Sequence, residues 1–275
     1  MGGFLMSIKM IAMDLDGTLL DREKNIAPAD REAVRKAVAA GFYVTLATGR
    51  MFRSALPYAQ ELGITAPLVV YNGAWIKDPV SGEVYGEWSV PAAAAQDVVD
   101  ECMRLGFYIQ AYIDDCLWTY RDCEEVRFYS RFSRVPYLVK GETMHHLPKG
   151  PHKLLVIAKE TEGLRRHLEE KFAGRIKIMA SSSGFLEITA PGTSKWKALE
   201  TLADRKGITA DEIMCIGDSE NDLEMVSSCG FGVAMGNAKD FLIKAARVVT
   251  APNTRQGVSI ILNSLLTQQI EVPLE

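Results

Sequence analysis

The 275-residue sequence has no basic excess, no long apolar run and no cysteine pattern typical of a zinc site. Its net charge of −4 argues against a protein that binds nucleic acid or a membrane surface. No apolar stretch approaches the ~18 residues of a membrane-spanning helix. The five cysteines lack C-x-x-C spacing, and the apolar segment 1–6 is too short for a signal peptide. We therefore expect a cytoplasmic protein with reduced thiols.

A glycine-rich phosphate loop, internal repeats and low-complexity tracts are also missing. Hydrophobic residues make up 48% of the chain and charged residues 24%, which is typical of a globular protein with a sizeable core. The length is close to that at which a second domain becomes common.

An almost unbroken apolar run at residues 8–13 leads into Asp14-Leu15-Asp16-Gly17-Thr18. Such a run is typical of a strand that is buried on both faces of a parallel sheet. If the backbone stays extended, Asp14 and Asp16 point to the same side, and Gly17 then lets the chain turn away. Because unpaired carboxylates are costly at the end of a buried strand, this stretch predicts a functional site.

Predicted strands and helices alternate through residues 8–74 and again through residues 194–266, with short connections. This alternation is typical of a parallel α/β sheet. Between the two segments, turn residues at 78–82 predict a hairpin, and the following hundred residues mix short strands, hairpin turns and helices. We predict an α/β domain built from residues 1–87 and 188–275, interrupted by an α+β insert at residues 88–187.

Further polar residues follow predicted strands at Thr48 and at Asp218 and Asp222, and Lys195 opens a predicted helix. Ligands of open α/β sheets bind at the carboxyl ends of the strands, where these residues would meet Asp14. Each also has an ordinary interpretation, as a helix cap, a turn residue or a solvated lysine.

A cluster of four aspartates would repel itself without a cation, and carboxylate oxygens favour Mg²⁺. A lysine and a threonine opposite that ion suit a phosphate group. One aspartate can attack phosphorus directly, while a second moves protons to and from the leaving group and water. The combination therefore favours phosphoryl transfer by a carboxylate nucleophile.

Four segments, DLDGT at 14–18, Thr48 in ATGR, Ser194-Lys195 and GDSEND at 217–222, resemble the four motifs of the haloacid dehalogenase (HAD) superfamily. The first and fourth are highly specific, whereas the second and third are weak by themselves. Nearly the whole chain resembles the Cof-type phosphatases of this superfamily. The resemblance implies a Rossmann-like core and a type-II (IIB) α/β cap that covers the site as a lid.

The resemblance also implies a role for each matching position. Asp14 would be the nucleophile and a Mg²⁺ ligand, and Asp16 would be the general acid and base, with its backbone carbonyl on the metal. Asp218 would bind Mg²⁺, and Asp222 would bind it or orient Lys195. The remaining implied roles are phosphate binding by Thr48, Gly49 and Lys195, support of the ligands by Asn221, and a border of the substrate entrance by Asn72 and Gly73.

Two positions depart from the family pattern. Trp196 stands where a glycine commonly follows the lysine, and it would either narrow the pocket or pack the helix, with packing the favoured interpretation. Gln256 replaces a common aspartate, which concerns only a supporting hydrogen bond.

The insert contains a basic stretch at residues 126–153, with six lysines and arginines against the single acid Glu142. The ordinary interpretation is a solvated face. Alternatively, part of the stretch grips an anionic or polyhydroxy leaving group, and substitution of Arg127 or Arg131 would then raise KM. His145 and His146 are a poor metal pair, because adjacent residues rarely face one ion.

Taken together, the sequence predicts a Mg²⁺-dependent phosphatase of small phosphate monoesters, such as sugar phosphates, that acts through an aspartyl-phosphate on Asp14. Its partner would be a small phosphorylated metabolite, with neither nucleic acid nor membrane involved. One alternative is a phosphohexomutase, although no arginine-rich signature for recapturing a bisphosphate is evident. The other is a non-catalytic regulator that binds phosphometabolites, which the complete set of acids and lysine disfavours.

Overall fold

The computed structural model describes residues 8–182 and 184–267. Segment 1–6, which we expect to be too short for a signal peptide, lies outside these ranges. Within them, no helix is both long and apolar enough to cross a lipid bilayer.

The first part of the chain alternates strands and helices, as its apolar pattern predicts. Helix α1 starts at Pro28, whose fixed φ and missing N–H suit a first helical turn. Helix α2 ends at Gly63 in a left-handed conformation with φ 73°. The elements are β1 (Met10–Met13), α1 (Pro28–Ala39), β2 (Tyr43–Leu46), α2 (Phe52–Leu62), β3 (Leu68–Val70), β4 (Trp75–Lys77) and β5 (Val84–Glu87).

The middle of the chain contains more strands than helices, and the last part returns to strict alternation. The middle elements are α3 (Ala92–Arg104), β6 (Ile109–Ile113), β7 (Cys116–Thr119), α4 (Glu124–Ser133), β8 (Tyr137–Val139), β9 (Lys153–Ile157), α5 (Glu162–Lys171), β10 (Lys177–Ser182) and β11 (Phe185–Thr189). The last are α6 (Lys195–Lys206), β12 (Ile213–Gly217), α7 (Leu223–Ser228), β13 (Phe231–Ala234), α8 (Asp240–Ala245), β14 (Val248–Val249) and α9 (Gly257–Leu266).

Five strands form a parallel sheet in the order β14-β13-β12-β1-β2, which confirms the predicted α/β core. All four residues of β1 are buried, as expected for a strand with neighbours on both sides. The predicted third strand of this sheet behaves differently. Strand β3 forms no ladder with β2 but a single bridge between Val69 and Ala47, the residue after β2, and it pairs antiparallel with β4. Strands β4 and β5 form the predicted hairpin.

A second sheet has the order β10-β11-β9-β6-β7-β8 and is antiparallel except between β7 and β8. Because side chains alternate along a strand, its two faces differ. Leu154 and Val156 pack beneath α3 and α5, whereas Leu155 belongs to the apolar cluster shared with the parallel sheet. Strand β11 runs past the predicted boundary at 187/188, to Thr189. We still propose the division of the chain into a core and an inserted cap.

Candidate active site

The carboxyl ends of β1 and β12 lie side by side, because Met13 pairs with Ile216 in the parallel register. The next residues at the sheet edge are therefore Asp14 and, after Gly217, Asp218. One ligand atom each of Asp14, Asp218 and Asp222 lies within 4.8 Å of the others. The structure thus brings together three of the four predicted metal ligands, although their motifs are about 200 residues apart in the chain.

The turn after Asp16 depends on Gly17. Its φ of +85° lies in the left-handed region, where a side chain is strained. A Cβ at this position would also lie 2.3 Å from Oδ2 of Asp218. Because Gly17 of the first motif has no side chain, the carboxylate of Asp218 in the fourth motif can occupy this space. Asn237 Nδ2 holds the same turn through a 2.8 Å hydrogen bond to the Gly17 carbonyl.

Lys195 is fully buried between two of these acids. Its Nζ donates to Oδ1 of Asp14 and to Oδ1 of Asp222, each at 2.6 Å. It occupies the first position of α6, whose start is fixed by Ser194 accepting a hydrogen bond from the Lys197 N–H. Burial lowers the pKa of Lys195, but the two aspartates outweigh burial and raise it above its usual value.

A single lysine does not neutralise the acids around it. Burial raises the pKa of Asp14 to about 7, with Lys195 opposing and Asp222 adding to the rise. Burial, followed by the charges of Asp14 and Asp222, raises the pKa of Asp218 to about 8. Buried carboxylate oxygens with unneutralised charge are the donor set that a hard divalent cation prefers. The acids present therefore fit a divalent ion.

Asp222 also fixes the loop that follows β12. Its Oδ2 accepts hydrogen bonds from the backbone N–H groups of Asp218 at 2.9 Å and Ser219 at 3.0 Å. Since Oδ1 holds Lys195, one carboxylate orients both the lysine and the loop that carries Asp218.

Asp16 lies outside this carboxylate group, because two cations hold its side chain. Arg50 contacts both oxygens, with Nε at 2.6 Å and Nη2 at 2.8 Å, and Lys24 Nζ lies 2.7 Å from Oδ1. Burial raises the pKa of Asp16, but Arg50 and Lys24 outweigh it and lower the pKa to about 2. Arg50 is the last residue of ATGR, but the sequence predicts no role for it, and Lys24 stands in no recognisable motif.

A cavity of about 270 Å³ opens between the acids of the parallel sheet and the inserted segment. Charged and small residues form its core side, and three aromatic rings with a buried ion pair form its cap side. The described residues on the core side are Asp14, Asp16, Gly17, Lys24, Thr48, Gly49, Arg50, Asp218, Ser219 and Asn221. Those on the cap side are Tyr129, Phe132, Ser133, Lys153, Phe185 and Glu187.

The three predicted phosphate-binding residues take different positions. Thr48 and Gly49 line the cavity, and Thr48 Oγ1 accepts a hydrogen bond from the Arg50 N–H at 3.2 Å. The Gly49 carbonyl accepts one from Lys153 Nζ at 2.7 Å. Lys195 is not among the described lining residues and reaches the site through Asp14.

Asn72 and Gly73, which the family resemblance places at the substrate entrance, are not among the described residues that line the cavity. Asn72 is buried, where its Nδ2 donates to Oε2 of Glu187 at 2.5 Å and its Oδ1 accepts from Asn221 at 2.9 Å. A Cβ on Gly73 would lie 2.0 Å from the Ser194 carbonyl. Asn72 therefore connects Glu187 of the insert to Asn221 in the loop after β12, whereas Gly73 packs against the backbone at the start of α6.

The basic stretch of the insert contributes one cation to the described lining. Arg127 is exposed and pairs with Asp122, and Arg131 is also exposed and absent from the lining. Lys153 lines the cavity instead. The expected effect of Arg127 or Arg131 on KM therefore does not follow from this arrangement. His145 pairs with Asp100 on the surface.

The two departures from the family pattern lie outside the described cavity lining. Trp196 is buried in an apolar cluster with Met10 and Leu199, which confirms the packing interpretation. Gln256 precedes α9 in a left-handed conformation with φ 60°.

Comparisons with known proteins agree with this geometry. Residues 11–262 match the family model of the haloacid dehalogenase-like hydrolases. The chain is 31% identical to YitU of Bacillus subtilis, named a 5-amino-6-(5-phospho-D-ribitylamino)uracil phosphatase, over 91% of this chain and 94% of that one. The solved structure of TM0651 from Thermotoga maritima has a TM-score of 0.82 at 35% identity, covering 93% and 97% of the two chains. The HAD subclass IIB sugar phosphatase BT4131 has a TM-score of 0.83 at 25% identity, covering 93% and 98%.

Proposed function

This chain belongs to the haloacid dehalogenase-like hydrolases and is a phosphatase, and we propose that it hydrolyses small phosphate monoesters, such as sugar phosphates, with Mg²⁺. One observation carries the proposal: Asp14, Asp218 and Asp222 converge within 4.8 Å, with Lys195 bonded to two of them. YitU and BT4131 are named as phosphatases of small phosphorylated compounds, which supports the same substrate class here.

We assign Mg²⁺ to the side chains of Asp14, Asp218 and Asp222 and to the backbone carbonyl of Asp16. All are oxygen donors, as this ion requires. When bound, Mg²⁺ would neutralise the carboxylates and polarise the phosphoryl group.

Asp14 would attack phosphorus and form an aspartyl-phosphate, while the bond to the alcohol oxygen breaks. Lys195 holds Oδ1 of Asp14, so we assign the attack to Oδ2. Asp16 would give the departing alkoxide a proton, and would then take one from the water that releases inorganic phosphate. Arg50 and Lys24 hold both oxygens of Asp16 and keep it ionised, so before the first transfer Asp16 would have to release at least one of these contacts and take up a proton from solvent.

Thr48 and Gly49 line the same cavity as Asp14, and Lys195 contacts its carboxylate. We assign the phosphoryl oxygens to these three residues, because charge must be offset as the group transfers. Asn221 would support Asp218 from the same loop.

The test is phosphate release from glucose 6-phosphate and an aryl phosphate, with Mg²⁺ and after chelation. We expect Mg²⁺-dependent turnover that falls at least about 10³-fold in Asp14→Asn, because the nucleophile is lost. Calorimetry should still show binding of metal and substrate to this variant. Asp21→Asn is the matched control, because Asp21 lies outside the described cavity lining and its side chain accepts a hydrogen bond from the Asn25 N–H.

Three results would contradict the proposal. Activity that survives Asp14→Asn would show that the nucleophile is assigned wrongly. Isomer formation with a bisphosphate primer, without phosphate release, would indicate a phosphohexomutase, and binding without any turnover would indicate a regulator.

A further inference from the structure

The cap side of the cavity is built from aromatic rings contributed by two separate elements. Tyr129 and Phe132 lie on α4, and Phe185 opens β11. The centre of the Phe185 ring lies 5.8 Å from those of Tyr129 and Phe132, at interplanar angles of 55° and 88°. All three rings line the cavity that also contains Asp14 and Asp218.

One of these rings, Phe132, contacts a charged side chain of the core side. Lys24 Nζ lies 3.9 Å from the ring centre of Phe132 and also contacts Asp16. A cation over an aromatic face is attracted by the ring quadrupole. Phe132 therefore contacts a charged side chain of the site, in addition to packing between the two sheets.

The rings have a polar edge in a buried ion pair. Lys153 Nζ lies 3.1 Å from Oε2 of Glu187, and both residues line the cavity although they are almost fully buried. An ammonium group has three N–H donors, and the bonds to Gly49 and Glu187 use two of them. Lys153 Nζ also lies 4.9 Å from the ring centre of Tyr112, and Glu187 accepts a further hydrogen bond from Asn72, so this edge is a charged pair that its neighbours hold in place.

We propose that the leaving group of the physiological substrate carries a planar nitrogen heterocycle, which binds against Tyr129, Phe132 and Phe185 with its polar edge toward Lys153 and Glu187. This inference rests on the proposed function and specifies its substrate. Offset and edge-to-face ring contacts are favourable at centroid distances of about 4.5–7 Å. A sugar or polyol has no aromatic face and gains none of these ring contacts.

The experiment compares kcat/KM for pyridoxine 5′-phosphate with that for glucose 6-phosphate, and for benzyl phosphate with that for cyclohexylmethyl phosphate. The second pair varies ring planarity at nearly constant size. We expect the heterocyclic ester to be preferred at least about 10-fold over the sugar, and the benzyl ester about 3- to 10-fold over its saturated analogue. Equal or reversed preferences within both pairs would overturn the inference.

Phe132→Leu and Phe185→Leu should each lower the heterocycle-to-sugar ratio about 5- to 10-fold, mainly through KM for the heterocyclic ester. Partial misfolding would lower the activities toward both esters by the same factor, so it would leave their ratio unchanged. Phe128→Leu is the matched control, because Phe128 touches the same rings but is 46% exposed and absent from the described lining. Its ratio should equal that of the unchanged protein.

The outcomes separate this inference from the proposed function. If no ester is hydrolysed with Mg²⁺, the proposed function fails. If esters are hydrolysed, but the leucine variants of the two lining rings leave the ratio unchanged, only the heterocycle assignment fails.

Discussion

The two sides of the cavity are built on opposite principles. On the core side, acids and cations compensate one another around Asp14 and Lys195. On the cap side, aromatic rings surround a single buried pair, Lys153 and Glu187. The core side therefore suits a charged group that is the same in every phosphate ester, whereas the cap side suits the part of the substrate that varies.

The two sides also differ in how the chain assembles them. Asp14 and Asp218 are brought together by adjacent parallel strands, so a motif at each strand end is enough to place them. Tyr129 and Phe185 come from a helix and a strand of the insert, and their meeting depends on how those elements pack. We infer that the reaction is fixed by short motifs and the substrate by long-range packing.

The largest effect should come from the core side. Lys195→Met removes the cation shared by Asp14 and Asp222, so we expect kcat/KM to fall about 10²- to 10³-fold for every ester. Lys197→Met changes the same helix at an exposed lysine that pairs with Glu200, and should retain activity. Phosphate-release kinetics and thermal unfolding measure both. If kcat/KM fell for only one class of ester, Lys195 would take part in substrate selection. That result would contradict the division between a core side that carries the reaction and a cap side that selects the substrate.

An intermediate effect should come from the buried pair of the cap side. Lys153→Met removes the bonds to Gly49 and Glu187, so we expect KM to rise about 10-fold with a smaller change in kcat. Breaking a buried pair should also lower the free energy of unfolding by about 3 kcal/mol. Urea unfolding and steady-state kinetics measure these changes. Arg127→Met, at an exposed pair, should change neither, and equal effects of the two variants would contradict the assignment.

The smallest effect should come from one of the several contacts that join the insert to the core. Asp115, in the hairpin between β6 and β7, accepts hydrogen bonds from the Arg53 N–H at 2.9 Å and the Tyr71 hydroxyl at 2.7 Å. Asp115→Ala should raise KM about 3- to 5-fold, since each hydrogen bond contributes about 0.5–1.5 kcal/mol.

The neighbouring substitution Asp114→Ala sharpens this prediction. Asp114 belongs to the same hairpin but pairs with the exposed Lys149, so KM should stay unchanged. If the two variants raise KM equally, the hairpin affects the site through its fold and the Asp115 contacts carry no special role.

The sequence was sufficient for features that depend on local pattern. The apolar run before Asp14 predicts a buried strand, and the acids at strand ends predict a common edge; both follow from the period of side chains and from parallel pairing. Arg50 was visible in ATGR, but its pairing with Asp16 depends on the path of two loops. No periodicity describes such paths.

Asn72 shows where sequence patterns stop being informative. Tyr71, Asn72 and Gly73 all have positive φ, at 52°, 58° and 93°, and this run turns the amide inward to Glu187. The family resemblance, which implies a border of the substrate entrance, does not predict this contact. In the basic stretch, Arg127 is exposed, as the interpretation of a solvated face expects, but spacing in the chain did not reveal that Lys153 would be buried.

The bare backbone at Gly17 limits how this site can be rebuilt elsewhere. A designer who grafts the four acids and the lysine onto another parallel sheet would fail if position 17 carried any side chain, because the methyl group of alanine alone would occupy the place of the Asp218 carboxylate. The glycine is therefore inseparable from the fourth motif, and a graft has to include it.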